Sequence, residues 1–118
     1  QIGDQVIRLV SKTMQDKSRN SDFPARYGGE EFTLVLPGTA MNIAIEIAGR
    51  IHRTVSRLTL IKRSTKEKLP PVTISMGLAS FKPGDTQESI LSRADKALDL
   101  AKETGRNKIV TEAELAVA

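Results

Sequence analysis

The sequence predicts an α+β fold, a layer of helices on a mainly antiparallel sheet, and three observations predict it. Two β-prone runs flank the Gly28-Gly29 pair, the pattern of a hairpin. Apolar residues recur at helical spacing from Ala40 to Leu58 and again from Ile90 to Ala101. Between those stripes, Val72 to Ala79 alternates large apolar with small or polar residues, as a half-buried strand does. A chain of 118 residues fits one domain, 1–118, and leaves no room for a second.

In chain order, Val6, Leu9, Val10 and Thr13 put a helix over Asp4 to Gln15. The polar run Asp16 to Asp22 reads as a loop. Ala25-Arg26-Tyr27 and Glu31 to Leu36 are the hairpin strands, joined through glycines that tolerate the positive φ of a tight turn. After Pro37-Gly38 comes the clearest helix, Ala40 to Arg57, with Thr39 as its expected N-cap. Leu58 to Ile61 is expected to form a short strand. Asp85 and Glu88 have capping-box spacing ahead of a helix that buries Ile90, Leu91, Ala94, Ala97, Leu98 and Ala101. Gly105 is a left-handed stop, and Lys108 to Val110 reads as a last short strand.

Composition narrows the function classes. With 39% apolar and 27% charged residues, the chain reads as an ordinary folded protein rather than a disordered tail. The absence of cysteine excludes disulfides, thiolate metal sites and a cysteine nucleophile. No apolar run approaches the length of a membrane span and no leader pattern opens the chain, so a cytoplasmic location is expected. An N-terminal membrane anchor in a longer parent remains compatible with this. The net charge is +4, but aromatics are 3%, too few for base-stacking platforms, and no nucleic-acid partner is expected. Lys62, Arg63, Lys66 and Lys68, opposed by Glu67, read as a solvated loop before Pro70-Pro71.

The chemistry concentrates in Gly28-Gly29-Glu30-Glu31-Phe32. Two residues without side chains let a phosphate chain approach the backbone. The acids that follow offer hard oxygen ligands of the kind Mg²⁺ takes together with substrate phosphates. Strand alternation sends Glu30 and Glu31 in different directions, so they cannot share one job equally. On spacing alone, a plain surface hairpin with solvated acids competes with this reading. His52, the one histidine, lies beside the apolar stripe and reads as a partly exposed helix residue rather than a base. Met14, Met41 and Met76 read as core or rim residues.

Arg26 to Phe32 resembles the signature hairpin of GGDEF domains, in the variant with Glu at the third position. Four further stretches are similar to that family in the same order: Gly3-Asp4, Val72 to Ala79, Ala94-Asp95-Lys96-Ala97-Leu98, and Ala101-Lys102 with Gly105-Arg106-Asn107. These stretches run from Gly3 to about Val110. The family is the diguanylate cyclase module, which joins two GTP molecules into cyclic di-GMP. The resemblance implies an α/β sandwich related to nucleotidyl cyclase and ferredoxin-like palm folds. It makes Glu31 a ligand of Mg²⁺, with Mn²⁺ as an alternative ion, and sets Glu30 beside the reacting 3′-hydroxyl. Asp4 would hold guanine, Gly28 and Gly29 would flank the nucleotide, and Lys102 and Arg106 would meet the β- and γ-phosphates. Without the family, Lys102 and Arg106 are ordinary cations near a helix C-terminus. Four residues apart at a helix end, they could reach toward one anion.

Arg19-Asn20-Ser21-Asp22 resembles the family's R-x-x-D motif, where the product binds and inhibits, and Arg50 falls where a further arginine contact is often placed. Arginine's fork suits phosphate or a guanine edge. The competing reading is a local Arg–Asp pair on a solvated loop.

The family pattern begins with a strand and helix carrying D-x-D-x-F-K-x-x-N-D, whereas this sequence starts at Gln1-Ile2-Gly3-Asp4. The expectation is therefore the C-terminal portion of a GGDEF domain, lacking the first central strand and inactive alone. Its parent would be a homodimeric cyclase behind an N-terminal sensory or regulatory domain. The alternative is a catalytically silent GGDEF module that binds cyclic di-GMP or GTP to regulate a partner domain. The complete Gly-Gly-Glu-Glu-Phe favours the cyclase.

Overall fold

The computed structural model describes residues 2–26, 31–62 and 64–116. Their order is α1 (Ile2–Lys17), β1 (Phe23–Arg26), β2 (Phe32–Val35), α2 (Met41–Ser56), β3 (Met76–Leu78), α3 (Gln87–Glu103), β4 (Ile109–Thr111) and a closing 3₁₀ turn (Glu112–Ala116). The α+β class is as expected. The chain forms two compact units, residues 1–38 with 50–73 and residues 39–49 with 74–118.

In the first unit α1 packs beside β1, which pairs with β2 in an antiparallel ladder. Val6, Leu9 and Val10 of α1 converge with Val55, Leu58, Leu60 and Val72. Thr13, on the same helix face, is buried, and its hydroxyl donates to the Leu9 carbonyl at 2.8 Å. That bond satisfies a group whose burial would otherwise be costly. The helix opens earlier than the sequence suggested, so Gly3 and Asp4 lie inside its first turn rather than ahead of it.

Helix α2 buries Ile47, Ala48, Ile51 and Val55 of the predicted stripe, whereas Ile43, nearer its N-terminus, is exposed. It begins at Met41, and the Ala40 carbonyl accepts from Ile43 and Ala44, placing the cap one residue beyond Thr39. The strand expected at Leu58 to Ile61 is reduced to an isolated antiparallel bridge between Ile61 and Lys68. Two backbone bonds flank it, Lys62 N to Glu67 O and Leu69 N to Leu60 O, both 2.8 Å. Pro70 and Pro71 follow immediately and have no N–H to extend a ladder.

In the second unit β3 and β4 pair in parallel, Met76 to Ile109, Gly77 to Val110 and Leu78 to Thr111, with α3 as the crossover between them. The strand expected over Val72 to Ala79 is thus three residues long, matching its three-residue partner. Helix α3 lies directly on β3. A Cβ on Gly77 would stand 2.3 Å from the Leu98 nitrogen and 2.4 Å from the Ala94 oxygen, so only glycine admits this approach. Ala97, Ala101 and Val110 close the core beneath, with Leu100 packed against them. The cap of α3 also differs from expectation. Thr86 accepts from Ser89 N while Ser89 Oγ accepts from Thr86 N, so the box runs from Thr86 to Ser89 and not from Asp85 to Glu88.

Candidate functional site

The β1–β2 register pairs Phe23 with Val35 and Arg26 with Phe32, so it centres on position 29. The expected turn and acid, Gly28, Gly29 and Glu30, lie with Tyr27 outside the described residues. Glu31 is described. It is half-buried and immediately precedes β2, next to the closing Arg26–Phe32 pair. Among the described residues no three acid or histidine side chains gather as a metal cage. A magnesium ion on a nucleotide does not need one, because one or two carboxylates plus phosphate oxygens and water complete its shell. The donor set on Glu31 fits that mode.

Arg19 and Asp22 form a closed turn. The Asp22 N–H donates to the Arg19 carbonyl at 3.0 Å, and the Arg19 N–H donates back to Asp22 Oδ2 at 2.8 Å. The guanidinium adds Nε to Oδ2 at 2.9 Å and Nη2 to Oδ1 at 2.7 Å, a bidentate fork. The Asp22 side chain is fully covered, whereas that of Arg19 keeps 40% of its surface exposed. The side-chain hydrogen bonds from Arg19 hold the Asp22 carboxyl below its ordinary range, outweighing burial. The local pair envisaged as the competing reading is therefore present, but its carboxylate is buried rather than solvated. Arg50 is exposed on α2, in the same unit.

Asp4 is exposed in the first turn of α1, where a carboxylate is favoured by the helix dipole. Lys102 is half-buried in the last turn of α3. Arg106 is exposed but lies beyond that helix. The Thr104 N–H closes α3 on the Leu100 carbonyl, and Gly105 (φ 118°), Arg106 (φ 61°) and Asn107 (φ 54°) follow in left-handed or positive-φ backbone. The Arg106 N–H reaches back to the Ala101 carbonyl at 2.8 Å, the long bond of a Schellman motif. Helical i,i+4 geometry consequently does not relate Lys102 to Arg106, contrary to the sequence argument. The turn, not the helix, sets the backbone from which Arg106 projects.

Two groups escaped the sequence reading. One is the turn's fastening: Asn107 N–H donates to Ser75 Oγ at 3.1 Å, and Lys108 Nζ donates to the Thr104 carbonyl and hydroxyl at 2.5 and 3.0 Å. The other is Arg93, which donates to both Asp85 oxygens, the Ser80 carbonyl and Glu112. Asp85, Ser89 and Arg93 follow each other at steps of four, a signal that the capping-box reading of Asp85 hid. His52 is half-buried, with Nε2 covered and making no hydrogen bond. Among the described residues no helix is long and apolar enough to cross a membrane.

The family profile described as diguanylate cyclase, GGDEF domain, matches residues 1–108. The chain is 37% identical over 108 residues to diguanylate cyclase VdcA of Vibrio cholerae, covering 92% of this chain and 32% of that protein. It spans a quarter to a third of the length of the curated relatives that it matches. The GGDEF domain of DgcB from Caulobacter crescentus, solved in complex with c-di-GMP, superposes with a TM-score of 0.89 at 39% identity, covering 93% of this chain and 64% of that one. The active GGEEF domain of a diguanylate cyclase from Vibrio cholerae gives a TM-score of 0.78 at 29% identity, over 92% of this chain and 67% of that one.

Proposed function

The chain belongs to the GGDEF family of diguanylate cyclase domains, and from that premise we propose that the protein carrying it condenses two GTP molecules into cyclic di-GMP and pyrophosphate. The observation that carries this reading is the uninterrupted Gly28-Gly29-Glu30-Glu31-Phe32 within the matched residues. The antiparallel pairing of β1 with β2 on either side of this motif, with Glu31 immediately before β2, supports the reading.

In the proposed reaction the 3′-hydroxyl oxygen of one GTP attacks the α-phosphorus of a second. A phosphodiester bond forms, the α–β anhydride breaks, and pyrophosphate leaves. The reciprocal attack closes the ring. Glu30 orients the hydroxyl and receives its proton, and Glu31 would hold a divalent ion. Bound Mg²⁺, with Mn²⁺ as a substitute, supplies neutralisation of phosphate charge. Asp4 positions guanine, Gly28 and Gly29 admit the nucleotide to the backbone, and Lys102 and Arg106 gather the β- and γ-phosphates. Each domain of the parent binds one GTP, so two copies must face each other, and alignment of the two nucleotides provides much of the rate. The isolated 118 residues contribute Glu30 and Glu31 to this chemistry and are not expected to turn over GTP. We place the protein in the cytoplasm, where GTP is available, under the control of an N-terminal sensory or regulatory domain.

Product inhibition is proposed at Arg19, Asp22 and Arg50. The support is the bidentate pair: the covered Asp22 holds a guanidinium whose side chain keeps 40% of its surface exposed, and arginine's planar group suits a phosphate or a guanine edge. The test is substitution in the protein that carries the domain. Glu31→Ala is expected to abolish cyclic di-GMP formation from GTP, and wild-type yield from that variant would contradict the proposal.

A further inference from the structure

We infer that Ser75 is a positioning residue for the triphosphate, acting through the turn that carries Arg106; the inference rests on the assignment of Arg106 to the phosphates. Gly105, Arg106 and Asn107 all have positive φ, at 118°, 61° and 54°. Glycine adopts such angles freely, but arginine and asparagine do so at an energetic disadvantage, asparagine the less. A turn with two such residues in succession holds its shape only where surrounding bonds over-determine it.

Those bonds come from two directions. From α3, the Ala101 carbonyl accepts the Arg106 N–H at 2.8 Å. From the residue before β3, Ser75 Oγ accepts the very next N–H, that of Asn107, at 3.1 Å. The ladder resumes at once, since Met76 N–H donates to the Lys108 carbonyl at 2.9 Å. The Arg106 peptide is thus gripped on its N-terminal side by the helix and on its C-terminal side by a single hydroxyl. Ser75 is 32 positions away in sequence, and it reaches the turn because Gly77 lets α3 lie against β3. Lys108, bonded to Thr104, fastens the helix end itself. Removing the hydroxyl frees the Asn107 N–H and lets the turn relax toward ordinary backbone. Arg106, exposed in this turn, would then lose the fixed backbone from which its side chain projects.

The experiment measures kcat and KM for GTP, with thermal melting, in the protein that carries the domain. Ser75→Ala is expected to raise KM about fivefold, the loss of one modest hydrogen bond, with kcat within about twofold of wild type. Ser75→Thr, which keeps the acceptor oxygen, is expected to restore KM. Combining Ser75→Ala with Arg106→Ala is expected to give no larger KM than Arg106→Ala alone, because both remove one contact. Asn107→Val, which leaves Ser75 intact but opposes φ 54°, is expected to mimic Ser75→Ala. A KM raised by Arg106→Ala but unmoved by Ser75→Ala, or effects that multiply in the double variant, would overturn the positioning role alone. A KM unmoved by Arg106→Ala would instead overturn the phosphate assignment beneath it.

Discussion

Arg93 and Asp85 meet through two parallel hydrogen bonds, Nη1 to Oδ1 and Nη2 to Oδ2, each 2.6 Å long. The same guanidinium gives Nε to Glu112 at 2.7 Å and Nη2 to the Ser80 carbonyl at 2.7 Å. One side chain therefore ties α3 to the loop before it and to the 3₁₀ turn after β4. The Lys12–Asp16 pair on α1 is different, a single 3.5 Å contact between side chains 74% and 55% exposed. Arg93→Ala is expected to lower the melting temperature clearly. Lys12→Ala should change stability by no more than about 0.5 kcal/mol. Equal melting temperatures for the two variants would contradict the ranking.

Acid should act through the same bonds. Side-chain hydrogen bonds, first from Arg93 and then from Ser89, hold Asp85 well below the ordinary carboxylate range. Burial raises the Glu112 carboxyl, but Arg93 and the Ser80 N–H outweigh it and lower it on balance. Asp22 is lowered by Arg19. A carboxylate with a depressed folded value contributes stability that is complete above its unfolded value and disappears as pH falls through the folded one. Melting temperature should be level with respect to these groups above about pH 5 and fall below about pH 4. Arg93→Ala should shrink that fall. A melting temperature that rises on acidification would contradict the sign.

Gly77 offers a sharper structural test. Its missing Cβ would meet backbone atoms of Leu98 and Ala94, which cannot swing aside as a side chain could. Gly77→Ala is expected to destabilise by about 3 kcal/mol or more, the upper end for overpacking. Gly3, with nothing within 4 Å of its Cβ position and lying in α1, should accept alanine with a change within about 1 kcal/mol. Urea unfolding of both variants checks the contrast.

These residues also show how far the sequence was readable. Ile47, Ala48, Ile51 and Val55 are legible because helical burial repeats at fixed spacing, and all four are buried, although the same spacing also includes Ile43, which is exposed. The hairpin was visible from β-prone runs around glycine. The lengths of β3 and β4 were not, because a ladder is set by what lies opposite, and no local pattern announces a partner more than thirty residues away. The lost i,i+4 relation of Lys102 and Arg106 has a similar origin. Gly105 marks the stop in the sequence, and Arg106 beyond it leaves the helix in left-handed backbone, which the four-residue spacing alone does not reveal. Nothing local marks Ser75, whose partner Asn107 is 32 positions away, whereas Arg93 is legible in its spacing from Asp85 and Ser89 but its bond to Glu112 is set by tertiary packing.

Product inhibition makes a separate prediction. Arg19→Ala removes the exposed guanidinium and leaves the covered Asp22 carboxylate without its fork. The inhibition constant for cyclic di-GMP is expected to rise by about tenfold or more, corresponding to one charge-assisted contact. Arg19→Lys keeps the charge but not the planar fork, and should recover little of the inhibition. Unchanged inhibition in both variants would remove the site from Arg19.

The most direct measurement is incubation of the protein carrying this domain with GTP and Mg²⁺, followed by separation of the nucleotides over a dilution series of enzyme. The account predicts cyclic di-GMP with pyrophosphate, at a rate that falls faster than enzyme concentration as dimers dissociate, and no product from Glu31→Ala. Binding of GTP or cyclic di-GMP without turnover, or release of GDP in place of pyrophosphate, would contradict it.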